Sequence, residues 1–434
     1  MKITRLRLHP VAVADPPLRS SYGRHAPYAL RTIVELETTD GITGVAETYG
    51  GDGPLEALGE VRERVEGRDP FQLSSLWCDM AAEAEAEGDR TQTHLVPGEN
   101  PLDKPARTFA AIEIACLDII GKAAGKPVCD LLGGRFRDEV PFSAYLFYKD
   151  AGGGGLDDDE REDAWGECLD ARSIVGQCRR MIEQYGFREI KLKGGVLEPD
   201  REIETIRLLR EEFGPDYPLR IDPNCAWTIE TSVRVGEALK EELAGGGYLE
   251  DPAPGLDGMA QVRHRLLEKG IETPLASNVA VTCFDHVPEA HCKDAAQIVL
   301  SDPHYWGGVR NVARLSFLCE LLGMGVSMHS NNHLAVSLMA MAHAAAAMPH
   351  LTHACDTHYP WQYEADEVVA GGRIPFHNGC VRIPDKPGLG VDLDHDQIAR
   401  LTQRYHKLPY RQRDDEAEMR KHVDPNWRRV VPRW

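Results

Sequence analysis

Seven polar side chains recur where short apolar runs end: Lys193, Asp222, Glu250, Asn278, Asp302, His329 and His358. Their successive spacings are 29, 28, 28, 24, 27 and 29 residues. Asp222, Glu250 and Asn278 offer hard oxygen ligands on three consecutive runs, a set that suits Mg²⁺ with positions left open for water and substrate. Two carboxylates and a neutral amide just balance the ion, so an anionic substrate oxygen can still join it. One such residue would more often be a surface or capping group; three in register weaken that alternative. Lys191 and Lys193 are two apart, hence on one face of a strand. Inside a shared cavity, like charge and a nearby metal push a lysine down toward base function near neutrality, whereas on an edge strand the pair would be surface charge. His329 lies one run after Asp302, and a carboxylate behind a histidine fixes its tautomer and supports base function. A histidine without that partner would more often be packed or capping. His333 stands four residues beyond His329, but His-Ser-Asn-Asn-His lacks the glutamate of a zinc-protease motif. The set as a whole places a base on either side of a metal, which suits proton abstraction beside a carboxylate held by that metal.

Such a set needs elements that carry each group to one place. A (β/α)8-type barrel uses about 25–30 residues per unit and gathers its functional groups at the C-terminal strand ends. With the strand of Tyr145 placed first, the spacing gives eight units, so an α/β barrel is expected over 136–365. An open doubly wound sheet would often carry a glycine-rich phosphate turn after its first strand, and none is convincing here. Residues 1–135 read as an α+β domain, strands first and helices after. Thr32–Thr39 alternates, Asp40-Gly41 supplies a hairpin turn, and Ile42–Glu47 returns. Helical spacing then runs from Leu55 to about Glu87, and Phe109–Ile120 is a helix-forming apolar run closed near Gly125-Lys126-Pro127. Thr91–Lys104 reads as a loop, Val140–Tyr148 as a strand, and Gly152–Gly155 with its acidic follow-on as a solvated, flexible excursion. Residues 366–434 are Gly/Pro-rich, then charged, and are expected to pack back on the first domain.

The chain has 434 residues, 42% of them apolar, enough for a large core. Its net charge of −20 argues against a nucleic-acid partner, which needs a basic face. An acidic enzyme still binds an anionic substrate when a metal and a few basic groups line the pocket. The 11 cysteines show no Cys-x-x-Cys spacing and fit reduced thiols in a cytoplasmic protein. No signal peptide and no membrane-spanning run is expected.

The sequence resembles the enolase superfamily and, within it, the glucarate dehydratase subgroup of acid-sugar dehydratases. The resemblance spans nearly the whole chain. It rests on Lys191-Leu192-Lys193-Gly194-Gly195, Asp222-Pro223-Asn224-Cys225-Ala226-Trp227, Glu250-Asp251-Pro252, Ser277-Asn278, Asp302-Pro303-His304-Tyr305-Trp306 and His329-Ser330-Asn331-Asn332-His333. It implies an α+β cap over the barrel and Mg²⁺ held by Asp222, Glu250 and Asn278. Lys193 would be one base, tuned by Lys191, and His329 with Asp302 the other, which also protonates the departing hydroxyl. Asn224 would help hold the developing oxyanion. Substrate contacts are implied for His25, Thr93, Tyr145, Lys191, Asn224, His329, Ser330, Asn331, His358 and Arg413, the last for a distal carboxylate. The implied reaction is dehydration of D-glucarate or its C5 epimer L-idarate to 5-keto-4-deoxyglucarate. Another hexarate or aldonate, or a non-catalytic barrel that binds acid sugars, is the alternative. A homo-oligomer is expected.

Overall fold

The computed structural model describes residues 1–86 and 104–434, without the side chains of 83–86. Seven parallel strands form one sheet in chain order: Ala144–Phe147, Ile190–Lys193, Leu219–Asp222, Tyr248–Glu250, Leu275–Ser277, Ile298–Ser301 and Gly325–Met328. A helix follows each strand, for example Ala171–Tyr185 after the first and Ala335–Ala346 after the seventh. The first of these shows why the sequence folds so. Asp170 and Ser173 close a capping box at its start, Gly186 adopts a left-handed φ of 76° at its end, and Ile174, Cys178 and Met181 form its buried stripe.

The eighth position is filled by 354–358, an extended segment rather than a regular strand. Asp356 N donates to Met328 O at 2.8 Å, Cys355 N to Pro141 O at 2.9 Å, and Ser143 N to Cys355 O at 2.9 Å. These bonds join the two edges of the sheet and close the barrel. The expected strand Val140–Tyr148 is two pieces: Glu139–Pro141 pairs with Cys380–Arg382, and only Ala144–Phe147 enters the barrel.

The cap is an antiparallel sheet of Ile3–Ala14, Tyr28–Thr38 and Thr43–Tyr49. Its hairpin turns at Asp40-Gly41, where Gly41 has φ 78°. Helices Asp52–Glu60, Leu73–Ala86 and Lys104–Ala124 follow. The last is buried along almost its whole length because it lies between the cap sheet and the barrel. Of the expected loop Thr91–Lys104, residues 91–103 lie outside the described residues, and Lys104 already opens the helix.

Helix His395–Lys407 packs on strand Ile3–Ala14, so the C-terminal part completes the cap. The last residues do something else: Trp434 N donates to Ala226 O at 3.0 Å and Thr228 N to Trp434 O at 2.6 Å, on the barrel. Gly152–Gly155 is no flexible excursion. Lys149 Nζ, buried, donates to the carbonyls of Asp150, Gly152 and Gly166 and to Asp163 at 2.8–3.1 Å. A Cβ on Gly154 would lie 2.4 Å from Asp15 N. Composition suggested solvation, whereas close backbone contact is what the glycines permit. All 11 cysteines are free thiols. Among the described residues no helix is long and apolar enough to cross a membrane.

Candidate active site

The C-terminal strand ends open into a cavity of about 680 Å³ beneath the cap. Lys193, Asn224, Asn278, His329, Ser330, Asn331, His358 and Tyr145 line it from the barrel. His25 reaches it from the cap and Arg413 from the C-terminal part. Lys191, Asp222, Glu250 and Asp302 form the buried layer behind these groups. Thr93 lies outside the described residues. A second cavity, of about 690 Å³, opens at the other mouth of the barrel, away from all of these groups.

At the floor, Asp222, Glu250 and Asp251 bring carboxylate oxygens within 4.8 Å of one another. Lys191 Nζ donates to both oxygens of Glu250 at 2.7 Å and to Asp356 Oδ2 at 2.6 Å. Lys193 Nζ donates to Asp222 Oδ2 at 2.7 Å. The Asn278 amide points at Glu250 Oε1 and Asp251 Oδ2, each 3.0 Å away. With its oxygen in that position, three acceptors face one another without a hydrogen between them. Either the amide turns its NH₂ inward or a cation lies among the oxygens. The charge count favours room for a cation: four buried carboxylates (Asp222, Glu250, Asp251, Asp356) face two buried ammonium groups (Lys191, Lys193), and Arg220, 3.7 Å from Asp356, is matched by Glu189. The formal excess of two negative charges equals one divalent ion, and hard oxygen donors suit Mg²⁺. The residues therefore fit the metal.

The same crowding sets the titration. Burial would raise Asp222, but the ammonium groups of Lys193 and Lys191 hold it down at about 2. Burial and the neighbouring Asp222 push Glu250 well above the carboxylate range, and push Asp251 up to about 6. Lys191, the lysine expected to tune Lys193, is itself held high. Burial lowers it, yet Asp356 and Glu250 outweigh that and hold it well above the usual lysine value.

On the opposite wall, His329 Nδ1 donates to Asp302 Oδ2 at 3.0 Å. This leaves Nε2 as the atom free to take a proton. Asp302 is pulled well below the carboxylate range: burial opposes this, and His304 and His329 overcome it. Lys193 and His329 thus border one cavity from different strands, with the carboxylate cluster between them in strand order.

Backbone conformation aims several of these groups. Asn224, Cys225 and Asp251 have φ of 44°, 61° and 41°, left-handed values that non-glycine residues seldom adopt. The turn at Asp251 sends its carboxylate to Ser277 Oγ at 2.6 Å and to the main-chain N–H groups of Asn278 and Val279 at 3.0 and 3.1 Å. Asn278 is held in place by these bonds. Asn224 Oδ1 is buried with no hydrogen-bond partner and borders the cavity.

His25 bonds Asp15 at 3.0 Å, and His358 bonds Ser330 Oγ at 3.0 Å. Arg413 donates to Asn332 Oδ1 at 3.0 Å and to Asp415 at 2.8 Å. It is therefore oriented by the protein's own acids as well as facing the cavity. Sequence reasoning passed over Asp251, His304, Asp356 and Tyr49. The first three sit within two residues of a selected group, and only the turn geometry reveals that they point inward. Tyr49 ends a cap strand and donates no chemical signature to the sequence; its hydroxyl accepts from Asn331 Nδ2 at 2.7 Å.

Comparison with known proteins gives the family and the fold. Residues 173–397 match the family described as enolase C-terminal domain-like. Residues 3–133 match the mandelate racemase/muconate lactonizing enzyme N-terminal domain. A probable glucarate dehydratase of Streptomyces coelicolor is 46% identical, covering 100% of this chain and 99% of its own. An enolase from Pseudomonas fluorescens Pf0-1, solved with bound magnesium, potassium and tartrate, superposes with a TM-score of 0.92 at 45% identity, covering 100% of this chain and 99% of that one. One from Thermobispora bispora, complexed with magnesium and formate, gives 0.91 at 47% identity with 100% of both chains covered.

Proposed function

This chain belongs to the enolase superfamily, and from that premise we propose that it is a Mg²⁺-dependent dehydratase of acid sugars, acting on D-glucarate and L-idarate. The observation that carries the reading is one cavity bordered by Lys193 and His329, with a carboxylate cluster two charges in excess at its floor. The 46% identity to a probable glucarate dehydratase supports the substrate class.

In this reading Asp222, Glu250 and Asn278 hold the metal. Asp251 supports them, because both of its oxygens already accept bonds from Ser277, Asn278 and Val279. Bound there, Mg²⁺ would supply positive charge against the charge that develops on the substrate carboxylate. His329 Nε2 takes the C5 proton of D-glucarate. Lys193 takes that of L-idarate from the other face of the same carbon. Asn224 and Lys191 support the carboxylate oxygen that gains charge. The C4–O bond then breaks, and His329 gives a proton to the departing hydroxyl. For D-glucarate the proton taken from C5 leaves in water, so His329 ends as it began; for L-idarate Lys193 enters neutral and His329 as the imidazolium, and after product release Lys193 loses its proton to solvent and His329 regains one from it. The resulting enol tautomerises to the keto product.

His25, Tyr145, Ser330, Asn331, His358 and Arg413 would bind the remaining hydroxyls and the distal carboxylate. Thr93 belongs to the same proposal. The domain limits 1–135, 136–365 and 366–434, a cytoplasmic location favoured by the free thiols, and self-association complete it. Purified protein with Mg²⁺ should form a 2-keto acid from D-glucarate in a screen of hexarates and aldonates. Product from another acid sugar alone would change the substrate, and no product from any would remove the dehydratase assignment.

A further inference from the structure

Asp302 has two histidine partners. Its Oδ2 accepts from His329 Nδ1 at 3.0 Å. Its Oδ1 accepts from His304 Nδ1 at 2.6 Å and from the His304 main-chain N–H at 2.8 Å. The hydrogen bonds continue beyond His304. Its Nε2 lies 2.6 Å from Ser337 Oγ, and Ser337 Oγ accepts from Arg31 at 3.4 Å. Arg31 Nε donates to Glu47 Oε1 at 2.8 Å. Arg31 and Glu47 lie on two paired cap strands, Arg31 opposite Tyr49 and Glu47 opposite Ile33, whereas Asp302 and His329 directly follow barrel strands. All these groups are buried.

The donors can be assigned without conflict. Asp302 is ionised and only accepts, so both imidazoles present Nδ1–H to it. His304 Nε2 then accepts from the Ser337 hydroxyl, which in turn accepts from Arg31. From Arg31 inward every hydrogen points toward Asp302, while Arg31 Nε–H points the other way, to Glu47. A carboxylate fixed on one oxygen by two bonds cannot swing, so its other oxygen stays on His329.

We infer that His304 is a positioning residue for His329, and that Ser337 and Arg31 extend this support into the cap. His304 does not line the cavity and has no part in proton transfer. It holds Asp302 so that His329 keeps its Nδ1–H tautomer and offers Nε2 to the substrate. The inference deepens the proposed reaction and rests on it for its kinetic arm only. The titratable and charged groups around the pair are Tyr305, His333 and His358 on the barrel, Lys193 across the cavity, and Tyr49, Arg31, Glu47 and Arg107 from the cap. None of them bonds Asp302 in place of His304 among the bonds described.

The test compares His304→Phe with His304→Asn. Phenylalanine fills the space beside the Tyr49 ring, 5.8 Å away, but cannot donate. The asparagine amide nitrogen stands where Nδ1 stood and can still donate to Asp302. ¹⁵N-histidine NMR of the full-length protein, with the His329 signal identified by its loss in His329→Asn, reads the tautomer with no substrate present. The Nδ1–H form is expected in the wild type and in His304→Asn, and a mixture in His304→Phe. With D-glucarate, kcat should fall by roughly 10- to 100-fold in His304→Phe, with KM little changed, and recover most of that in His304→Asn. Ser337→Ala, which leaves Asp302 and both histidines in place, should lower kcat in the same direction by less. An unchanged His329 tautomer in folded His304→Phe overturns the inference, whatever the substrate. A tautomer change in protein whose wild type turns over no acid sugar supports the inference and counts instead against the dehydratase reading.

Discussion

At the scale of single residues, the site is a problem of charge. Lys191 and Lys193 cannot neutralise four buried carboxylates, and the surplus is what a divalent ion would answer. Asn278 is the informative member, because its amide is neutral and so leaves the balance for an anionic substrate to complete. Asn278→Ala should weaken Mg²⁺ binding by about 10- to 100-fold with the fold intact. Calorimetric titration of the metal and circular dichroism check the two halves of that statement, and an unchanged affinity would exclude Asn278 as a ligand. Asp222, Glu250, Asn278, Lys193 and His329, proposed as ligands and bases, were legible as a set in the sequence because each falls at a strand end at a regular interval. His304 was not, because it lies in the turn beyond its strand, where alternation no longer holds, and neither was Asp251. In a strand, neighbours point to opposite faces, so a residue beside a selected one is expected to face away. A φ of 41° at Asp251 breaks that rule, and nothing in its sequence signals it.

At the scale of elements, spacing located six barrel strands, from Ile190–Lys193 to Gly325–Met328, and the eighth segment, whose irregular pairing no spacing could foresee; the first strand came from its own apolar run and proved shorter than expected. Loops were harder. Gly152–Gly155 looks like a linker by composition, yet it is held from two sides: Gly154 N donates to Tyr363 Oη at 3.1 Å, and Gly155 N to Pro27 O of the cap at 2.8 Å. Gly154→Ala should therefore cost about 1–3 kcal/mol, the range for overpacking a site whose neighbour is backbone. Urea unfolding reads this, and a change below about 0.5 kcal/mol would mean the loop yields freely. Helix Ala335–Ala346 carries a second testable device. His343 is buried; its Nδ1 accepts from Cys129 N at 3.3 Å and its Nε2 donates to Leu389 O at 3.2 Å. Burial pulls its pKa down to about 4, and a proton on Nδ1 would face an N–H. The unfolded histidine takes a proton near pH 6.5. The folded value is the lower one, so this contribution is complete above about pH 6.5 and is lost as pH falls toward about 4. It amounts to at most about 3 kcal/mol. The thermal midpoint should drop between pH 7 and 4.5, and His343→Leu should flatten that drop relative to wild type.

At the scale of the whole molecule, the cap and the barrel are joined by buried polar contacts as well as by apolar packing. Glu113 of the cap helix accepts from the main-chain N–H groups of Val309 and Arg310 at 3.0 and 3.1 Å, and from the Arg310 side chain at 3.0 Å. It thereby closes the start of barrel helix Val309–Leu322, which has no side-chain cap of its own. Glu113→Ala leaves these donors unpaired and should cost about 2–4 kcal/mol. Thermal unfolding checks the loss, and hydrogen exchange should localise it to the seam between cap and barrel. This seam was invisible in the sequence, since Glu113 lies in the otherwise apolar stretch Phe109–Leu117 of its helix and its partners come nearly two hundred residues later. The net charge of −20 argues against one class of partner but does not show where the basic groups gather. The account stands on two bases serving opposite faces of one carbon. Its most direct test follows deuterium entry at C5 in D₂O with Mg²⁺, for D-glucarate and L-idarate, in wild type, His329→Asn and Lys193→Met. Exchange into D-glucarate should vanish in His329→Asn and persist in Lys193→Met, and the reverse should hold for L-idarate. Loss of both exchanges in one variant with neither lost in the other would contradict the assignment.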